Sequence, residues 1–468
     1  MSICYQPEVL YRPSGFVSNT VLAIDDQGRV DTRQRESSSK VRTVSLPRRG
    51  LLPGFVNVHS HSFQRLIRGK SESRRTSGKN FWSWRGTMYH AAAQLSPQDV
   101  YDVARMTFLE MALAGITTVG EFHYLHNAPD GRPYDDPNLL SKMVIAAAQS
   151  VGVRIVLLRT AYLRSGYRVA TDPGQIRFFE STKNFLANAE ALLNAYSNNS
   201  RGEVRVGIAP HSVRAVPLED LRELAAWSNE KKLPVHMHIS EQVAENEACL
   251  SEHGVTPVGL LAREGLLTPN LTAVHAIHIT DEEIRMMADA GAAICSCPTT
   301  ERNLGDGIVA ADEVMQAGIP IAFGSDSQAQ INPLEDAREL DYHLRLSHQE
   351  RAVLDQIHDQ PLAPRLLNCA TIHGARSLGF AGGELVDGAP ADFFTVDLDH
   401  PSIVGNSPED LLSILVFGLG PAAIRDVAVN GKLIVRDGKH ELEEEIIGRY
   451  KEVYRKVWGT AVQAERAL

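Results

Sequence analysis

Between about residue 54 and residue 380, short apolar runs alternate with amphipathic helical patterns, and this alternation limits the fold more than anything else in the chain. Arg154-Ile-Val-Leu-Leu158, Val204-Arg-Val-Gly-Ile208, Pro234-Val-His-Met-His238, Leu271-Thr-Ala-Val274 and Ile319-Pro-Ile-Ala-Phe323 read as strands. Leu218 to Lys231 and Asp281 to Ala290 read as helices between them. Strands spaced by whole helices pair in parallel, with the helices outside. About eight such units in this length fit a closed (β/α)8 barrel of the TIM type better than an open sheet. The flanks have another texture. Residues 1–53 read as short strands broken at Pro13-Ser-Gly15 and Asp25-Asp-Gln-Gly28. Residues 383–440 return to strands and turns at Gly383 to Gly388, Ala391 to Val396 and Val427 to Val435. The expected organisation is α/β: a barrel over 54–382, a small β domain built from 1–53 and 383–440, and a C-terminal helix over 441–468. That last segment is Glu-rich at its start and Lys/Arg-rich later, as the helix dipole favours.

The formal charge of −10 and the lack of a basic tract argue against a nucleic-acid partner. The most apolar late stretch, Leu411 to Leu419, is far too short to span a bilayer, and Met1 to Gly15 has no secretory pattern. Five scattered cysteines read as reduced and mostly buried, which points to the cytoplasm.

Chemistry concentrates at the ends of the expected strands. The run Leu51 to Val58 ends in His59-Ser60-His61, and side-chain alternation turns both imidazoles to one face. His238 closes another strand with Glu241 just beyond, His275 ends a third, and Asp326 follows a fourth in Gly324-Ser-Asp-Ser327. In a barrel these ends converge on one face. His59, His61, His238 and Asp326 then make an N3O set for one Zn2+ ion, and iron or manganese suits the same ligands.

Pro53-Gly-Phe-Val-Asn-Val-His-Ser-His61, His238-Ile-Ser-Glu241, His275, Gly324-Ser-Asp326, Ala370-Thr-Ile-His-Gly-Ala375 and the tail Gly383 to Asp397 together resemble the amidohydrolase superfamily. The resemblance covers nearly the whole chain, and it implies a (β/α)8 barrel with a small β-sandwich domain built from 1–53 and 383–440. It implies a mononuclear zinc site of the deaminase branch, with Asp326 accepting a proton from water, His275 orienting the attacking oxygen and Glu241 carrying a proton to the substrate nitrogen. A narrower set is similar to the N-formimino-L-glutamate deiminases of histidine degradation: His61-Ser-Phe-Gln64-Arg65, Phe81-Trp-Ser-Trp-Arg85, Glu121-Phe-His-Tyr124, His211-Ser-Val-Arg214 and Asn303 to Ile308. It implies a small anionic substrate held by Gln64, Arg85, Tyr124, His211 and Arg214, and a homodimer. Two arginines suit a dicarboxylate, because each guanidinium can take a carboxylate in bidentate fashion. The plain alternatives are Arg85 stacked on Trp82 or Trp84, and Arg214 paired with Glu219.

One position departs from the pattern. The family usually has a histidine two residues after the aspartate, where this chain has Gln328, which cannot titrate. The departure leaves the head group open to a related formimino- or guanidino-acid. A deaminase of an aminated heterocycle and a non-catalytic scaffold are the competing readings. The Ser/Arg/Gly-rich segment Arg68 to Lys79 is expected to be a lid.

Overall fold

The structure, a computed structural model, describes residues 3–32, 42–72, 81–197, 202–405 and 407–465. Eight parallel strands run in chain order around one sheet: β1 (Phe55–Ser60), β2 (Ile116–His123), β3 (Arg154–Ala161), β4 (Val204–Pro210), β5 (Val235–Ile239), β6 (Leu271–His275), β7 (Ala293–Ser296) and β8 (Ile321–Phe323). Every residue of β1, β2 and β3 is buried. Helices cover one face and the barrel interior the other, which is why these strands are apolar throughout rather than alternating. Helices lie between successive strands. Two of them, Leu218–Lys231 and Asp281–Ala290, have the bounds read from the sequence. Asp281–Ala290 begins on a Thr280/Glu283 capping box and ends on Gly291 in the left-handed region, so both ends are satisfied locally.

The ring closes where β8 meets β1. Asp326 N–H donates to the His59 carbonyl (3.0 Å), and His61 N–H donates to the Asp326 carbonyl (3.1 Å). Gly324 permits the approach. A Cβ there would lie 2.6 Å from the His59 Cβ and 2.9 Å from the Cys295 Sγ.

Both chain ends build a second, eight-stranded sheet. Its long strand Arg42–Pro53 pairs in parallel with Ile3–Arg12 and antiparallel with Phe393–Asp397, and leads through Gly54 directly into β1. Tyr5, Leu22, Leu51 and Phe393 centre a core of its own. A buried ion pair, Arg154 to Asp392 (3.0 Å), fastens this sheet to β3. Gly383 to Gly388, at the start of the strand-and-turn texture, is a turn-rich loop that sends Leu385 into that core; its two glycines at positive φ break any ladder.

The C-terminal helix Glu443–Glu465 packs on helix Pro97–Leu113 through a bidentate Arg105–Glu445 pair (2.8 and 2.7 Å). Trp458 Nε1 donates to the Leu66 carbonyl (3.0 Å), so this helix braces the turn that follows His61. All five cysteines are free and buried. Among the described residues, no helix is long and apolar enough to cross a membrane.

Candidate active site

The C-terminal strand ends deliver the expected ligands to one point. His59 Nε2 lies 3.1 Å from His61 Nε2 and 3.1 Å from His238 Nε2. Asp326 Oδ1 lies 3.3 Å from His59 Nε2 and 3.2 Å from His61 Nε2. His61 Nδ1 faces the Phe122 carbonyl (2.9 Å) and His238 Nδ1 faces the His211 carbonyl (3.2 Å). A carbonyl only accepts, so these Nδ1 atoms carry the protons and each Nε2 presents a lone pair inward. Burial pushes His59 down to about 3 and His238 well below the usual range, which keeps both rings neutral. Lone pairs and a carboxylate crowded this closely repel one another unless a cation sits among them. A tetrahedral ion with bonds of roughly 2.0–2.1 Å separates its ligands by about 3.3 Å, close to what is seen here. The four residues therefore form a group that can hold a metal ion.

His275 forms the next wall. Its Nε2 lies 3.8 Å from Glu241 Oε1 and 3.9 Å from Asp326 Oδ2, and its Nδ1 lies 3.2 Å from Glu301 Oε1. Burial opposes charge on this ring, but Glu241, Glu301 and Asp326 outweigh it and hold His275 well above the usual range. Burial raises the Glu241 carboxyl, with the Asp326 charge adding to the effect and His275 opposing it. His275, Cys297 and Glu301 also lie close enough to form a second metal-type group. There, however, Glu301 is already occupied, taking Cys297 N–H (2.8 Å) and Ser296 Oγ–H (3.0 Å) besides His275.

The backbone is strained at these strand ends. Ser240 (φ 52°), His275 (φ 72°), Ala276 (φ 51°), Asp326 (φ 44°) and Gln328 (φ 61°) all sit in the left-handed region. Each such residue costs on the order of 1–3 kcal/mol and persists only where surrounding bonds fix it. Ala276 N–H to the Ile239 carbonyl (3.0 Å) and His278 N–H to the Ser240 carbonyl (3.0 Å) are two of those bonds.

A cavity opens above the His59/His61/His238/Asp326 group. Every site residue expected from the sequence lines it except His59, which is fully buried beneath. Gln64 Nε2 donates to Tyr124 Oη (2.7 Å), leaving Gln64 Oε1 buried without a partner. Arg214 Nη1 donates to Tyr162 Oη (3.2 Å) and the Ser165 carbonyl (3.1 Å). Glu219, the alternative partner for Arg214, binds Arg222 instead (2.6 Å). The Arg85 guanidinium lies over the Tyr89 ring at 5.2 Å. Burial and the Arg214 charge keep His211 well below its usual range, so it is a neutral donor or acceptor.

Sequence reasoning missed several residues. Glu301, which orients His275, sits on the short helix Pro298–Leu304 after β7 and stands out by no spacing rule. Trp84, Tyr89, Tyr162 and Phe178 give the cavity an aromatic side; of these, Tyr162 had a signal, since it directly follows β3. Gln328 does not reach the cavity at all. It is fully buried behind Asp326, so the exchange of histidine for glutamine does not touch the substrate space. Of the expected lid, Arg68 is tied to Glu110 (2.8 Å) and to the Gln328 carbonyl (2.6 Å), while residues 73–79 lie outside the described residues.

Comparison with known proteins agrees with this geometry. A formimidoylglutamate deiminase of Pseudomonas aeruginosa is 36% identical over 396 residues, 84% of this chain and 86% of that protein. A 5-methylthioadenosine/S-adenosylhomocysteine deaminase of Natronomonas pharaonis is 28% identical over 83% of this chain and 81% of its own length. The crystal structure of an amidohydrolase from Brucella melitensis superposes with a TM-score of 0.87 at 32% identity, covering 97% of this chain and 99% of that one. Residues 51–434 match the amidohydrolase family throughout the barrel and into the returning sheet. With its strand-end histidines and aspartate gathered under one cavity, the chain belongs to the amidohydrolase family and is a hydrolase of the deaminase and deiminase kind.

Proposed function

We propose that the protein is a zinc-dependent deiminase that converts N-formimino-L-glutamate and water to N-formyl-L-glutamate and ammonia, a step of histidine degradation. The observation that carries this reading is one cavity set over the His59/His61/His238/Asp326 group and lined by Glu241, His275 and the guanidinium groups of Arg85 and Arg214. An amidine head needs water activation, and two carboxylates need two cations. The 36% identity to a formimidoylglutamate deiminase supports the same reading.

A divalent ion held by the four ligands supplies Lewis-acid activation of water near neutral pH. Asp326 takes a proton from the attacking water through Oδ2, the oxygen that faces His275 rather than His59 and His61. A new C–O bond forms at the formimino carbon while its C=N becomes a single bond. Glu241 delivers a proton to that nitrogen, and the His275 imidazolium donates through Nε2 to the oxygen. Asp326 then passes its proton to the nitrogen while Glu241 takes the hydroxyl proton, which breaks the C–N bond, forms C=O, releases ammonia and restores both carboxyl groups. Arg85 and Arg214 bind the two carboxylates, with Gln64 Oε1, Tyr124 and neutral His211 adding hydrogen bonds.

The aromatic side of the cavity favours a second reading, deamination of a ring substrate stacked against Tyr89 or Tyr162. Ammonia release from N-formimino-L-glutamate, N-formimino-L-aspartate and guanine by zinc-loaded protein separates them. A kcat/KM above about 10⁴ M⁻¹s⁻¹ for the glutamate derivative alone is the expected result. Turnover of guanine alone replaces the first reading with the second.

A further inference from the structure

Three of the four metal-type ligands sit on two backbone segments that meet only at the barrel seam, His59 and His61 on one side and Asp326 on the other. The Gln328 side chain lies across that seam. Its Nε2 donates to Ser60 Oγ (3.0 Å) and to the Asp326 carbonyl (2.8 Å), and its Oε1 accepts from Ser325 Oγ (2.8 Å). The chain of bonds continues on both sides. Ser60 Oγ donates to Glu121 Oε2 (2.6 Å), and Ser325 Oγ accepts from Asn57 Nδ2 (2.6 Å). Glu121 Oε1 takes both the N–H (2.7 Å) and the hydroxyl (2.6 Å) of Ser62.

Ser60 is the residue between the two histidines, so fixing its hydroxyl fixes the pleat that aims both rings. Asp326 is held at φ 44°, and the bond to its carbonyl is one of those that keep it there. A primary amide offers two N–H donors and an acceptor in one plane, and this position uses all three. A neutral imidazole has one donor and one acceptor, so a histidine here leaves one of these bonds unmade. Leucine makes none and leaves the Ser60 and Ser325 hydroxyls and the Asp326 carbonyl short of a partner in a dry interior.

We infer that Gln328 is a positioning residue for the metal centre: through Ser60 and Ser325 it clamps the seam and sets how tightly His59, His61 and Asp326 retain their ion. The inference rests on the metal group and not on the identity of the substrate. Residues that orient metal ligands from behind typically change metal affinity by about 10–100-fold.

The test uses full-length protein loaded with one equivalent of Zn2+ and challenged with a chromophoric chelator, so no substrate enters. Q328L is expected to release zinc at least about tenfold faster than the parent, with Q328H between the two and S325A showing a smaller increase in the same direction. The cobalt-loaded forms are expected to show altered visible bands in the same order. In turnover, kcat falls and KM stays near the parent value, because Gln328 does not line the cavity. Parent-like release from folded Q328L overturns the inference, as does a rise in KM with unchanged release. Should Q328L fail to fold, parent-like release from both Q328H and S325A has the same force. Failure of the deiminase assay leaves the release rates readable, so the two readings fall separately.

Discussion

The wall of the cavity that gathers the metal-type ligands and the wall that carries the arginines are built by different means. The first is made of strand ends and closed by backbone bonds. Asp326 makes main-chain bonds to both His59 and His61, the His61 and His238 rings rest on carbonyls, and Glu301 fixes His275 from behind. The second is made of a helix and loops: Arg85 on helix Phe81–Ala92, Gln64 on the turn after His61, and Arg214 in the loop after β4. Its polar groups keep capacity for a bound molecule, with Gln64 Oε1 lacking a partner among the described residues and Arg214 spending one nitrogen on Tyr162 and Ser165. Chemistry common to a family calls for a rigid frame, whereas selectivity calls for groups still able to bind something.

The sharpest way to break this contrast is at Glu241, the proposed proton carrier. E241Q is expected to lower kcat by about 10²–10⁴-fold with little change in KM, because it removes a proton transfer and leaves the arginine wall intact. Steady-state kinetics with N-formimino-L-glutamate, the proposed substrate, checks this. On the other wall, R214M and R85M should each raise KM about 10–100-fold, the loss expected for a charged hydrogen bond of roughly 1.5–3 kcal/mol. A drop in kcat with an unchanged KM in these variants would erase the distinction between the walls.

E301Q tests the support behind His275. Removing one of the three carboxylates that hold the ring protonated should lower its pKa. The alkaline limb of the kcat–pH profile then moves to lower pH, with about a tenfold loss at its upper end. The smallest change in turnover belongs to D336N. Asp336 accepts from Thr299 N–H (3.2 Å) and Oγ1 (2.8 Å) at the start of the helix that carries Glu301, and burial pushes its carboxyl up to about 7. Between its ordinary pKa of 3.8 and about 7, the unfolded chain ionises while the folded protein keeps the proton, so this group makes stability fall as pH rises. The amide introduced by D336N keeps the acceptor without that penalty. The stability gap between variant and parent should grow by roughly 1.4 kcal/mol per pH unit up to about pH 7 and stay level above it. Chemical unfolding from pH 5 to 8 reads this directly.

Much of the rigid wall was legible in the sequence, because its residues follow strand ends and a barrel places all such ends on one face. His59, His61, His238, His275 and Asp326 needed only the period of a strand and the direction of a parallel sheet. Glu301 was not legible: it reaches a ring 26 residues away by a turn that no period encodes. Gln328 was read with the wrong orientation, since two residues past Asp326 the chain has turned through two left-handed φ values and faces inward. On the aromatic side Tyr162 follows a strand end, but Phe178 was hidden, because it lies in a long connection whose path depends on Arg177, whose Nε bonds the Asn127 carbonyl (2.9 Å). The returning sheet was anticipated from its texture, in which Gly383 to Gly388 supplies turns and the strands begin at Phe393.

The seam has a consequence for how the chain reaches its native state. The Ser60–Gln328 bond joins residues 268 apart in the chain. Closing a loop of that length costs about 5 kcal/mol of chain entropy by the (3/2)RT ln n rule, and contacts of such separation form late. An ion captured between His61 and Asp326 acts on the same gap as a non-covalent staple. It should speed the last step of assembly and slow the first step of unraveling, so that a newly made chain short of metal would stall with an open ring and exposed β1 and β8 edges.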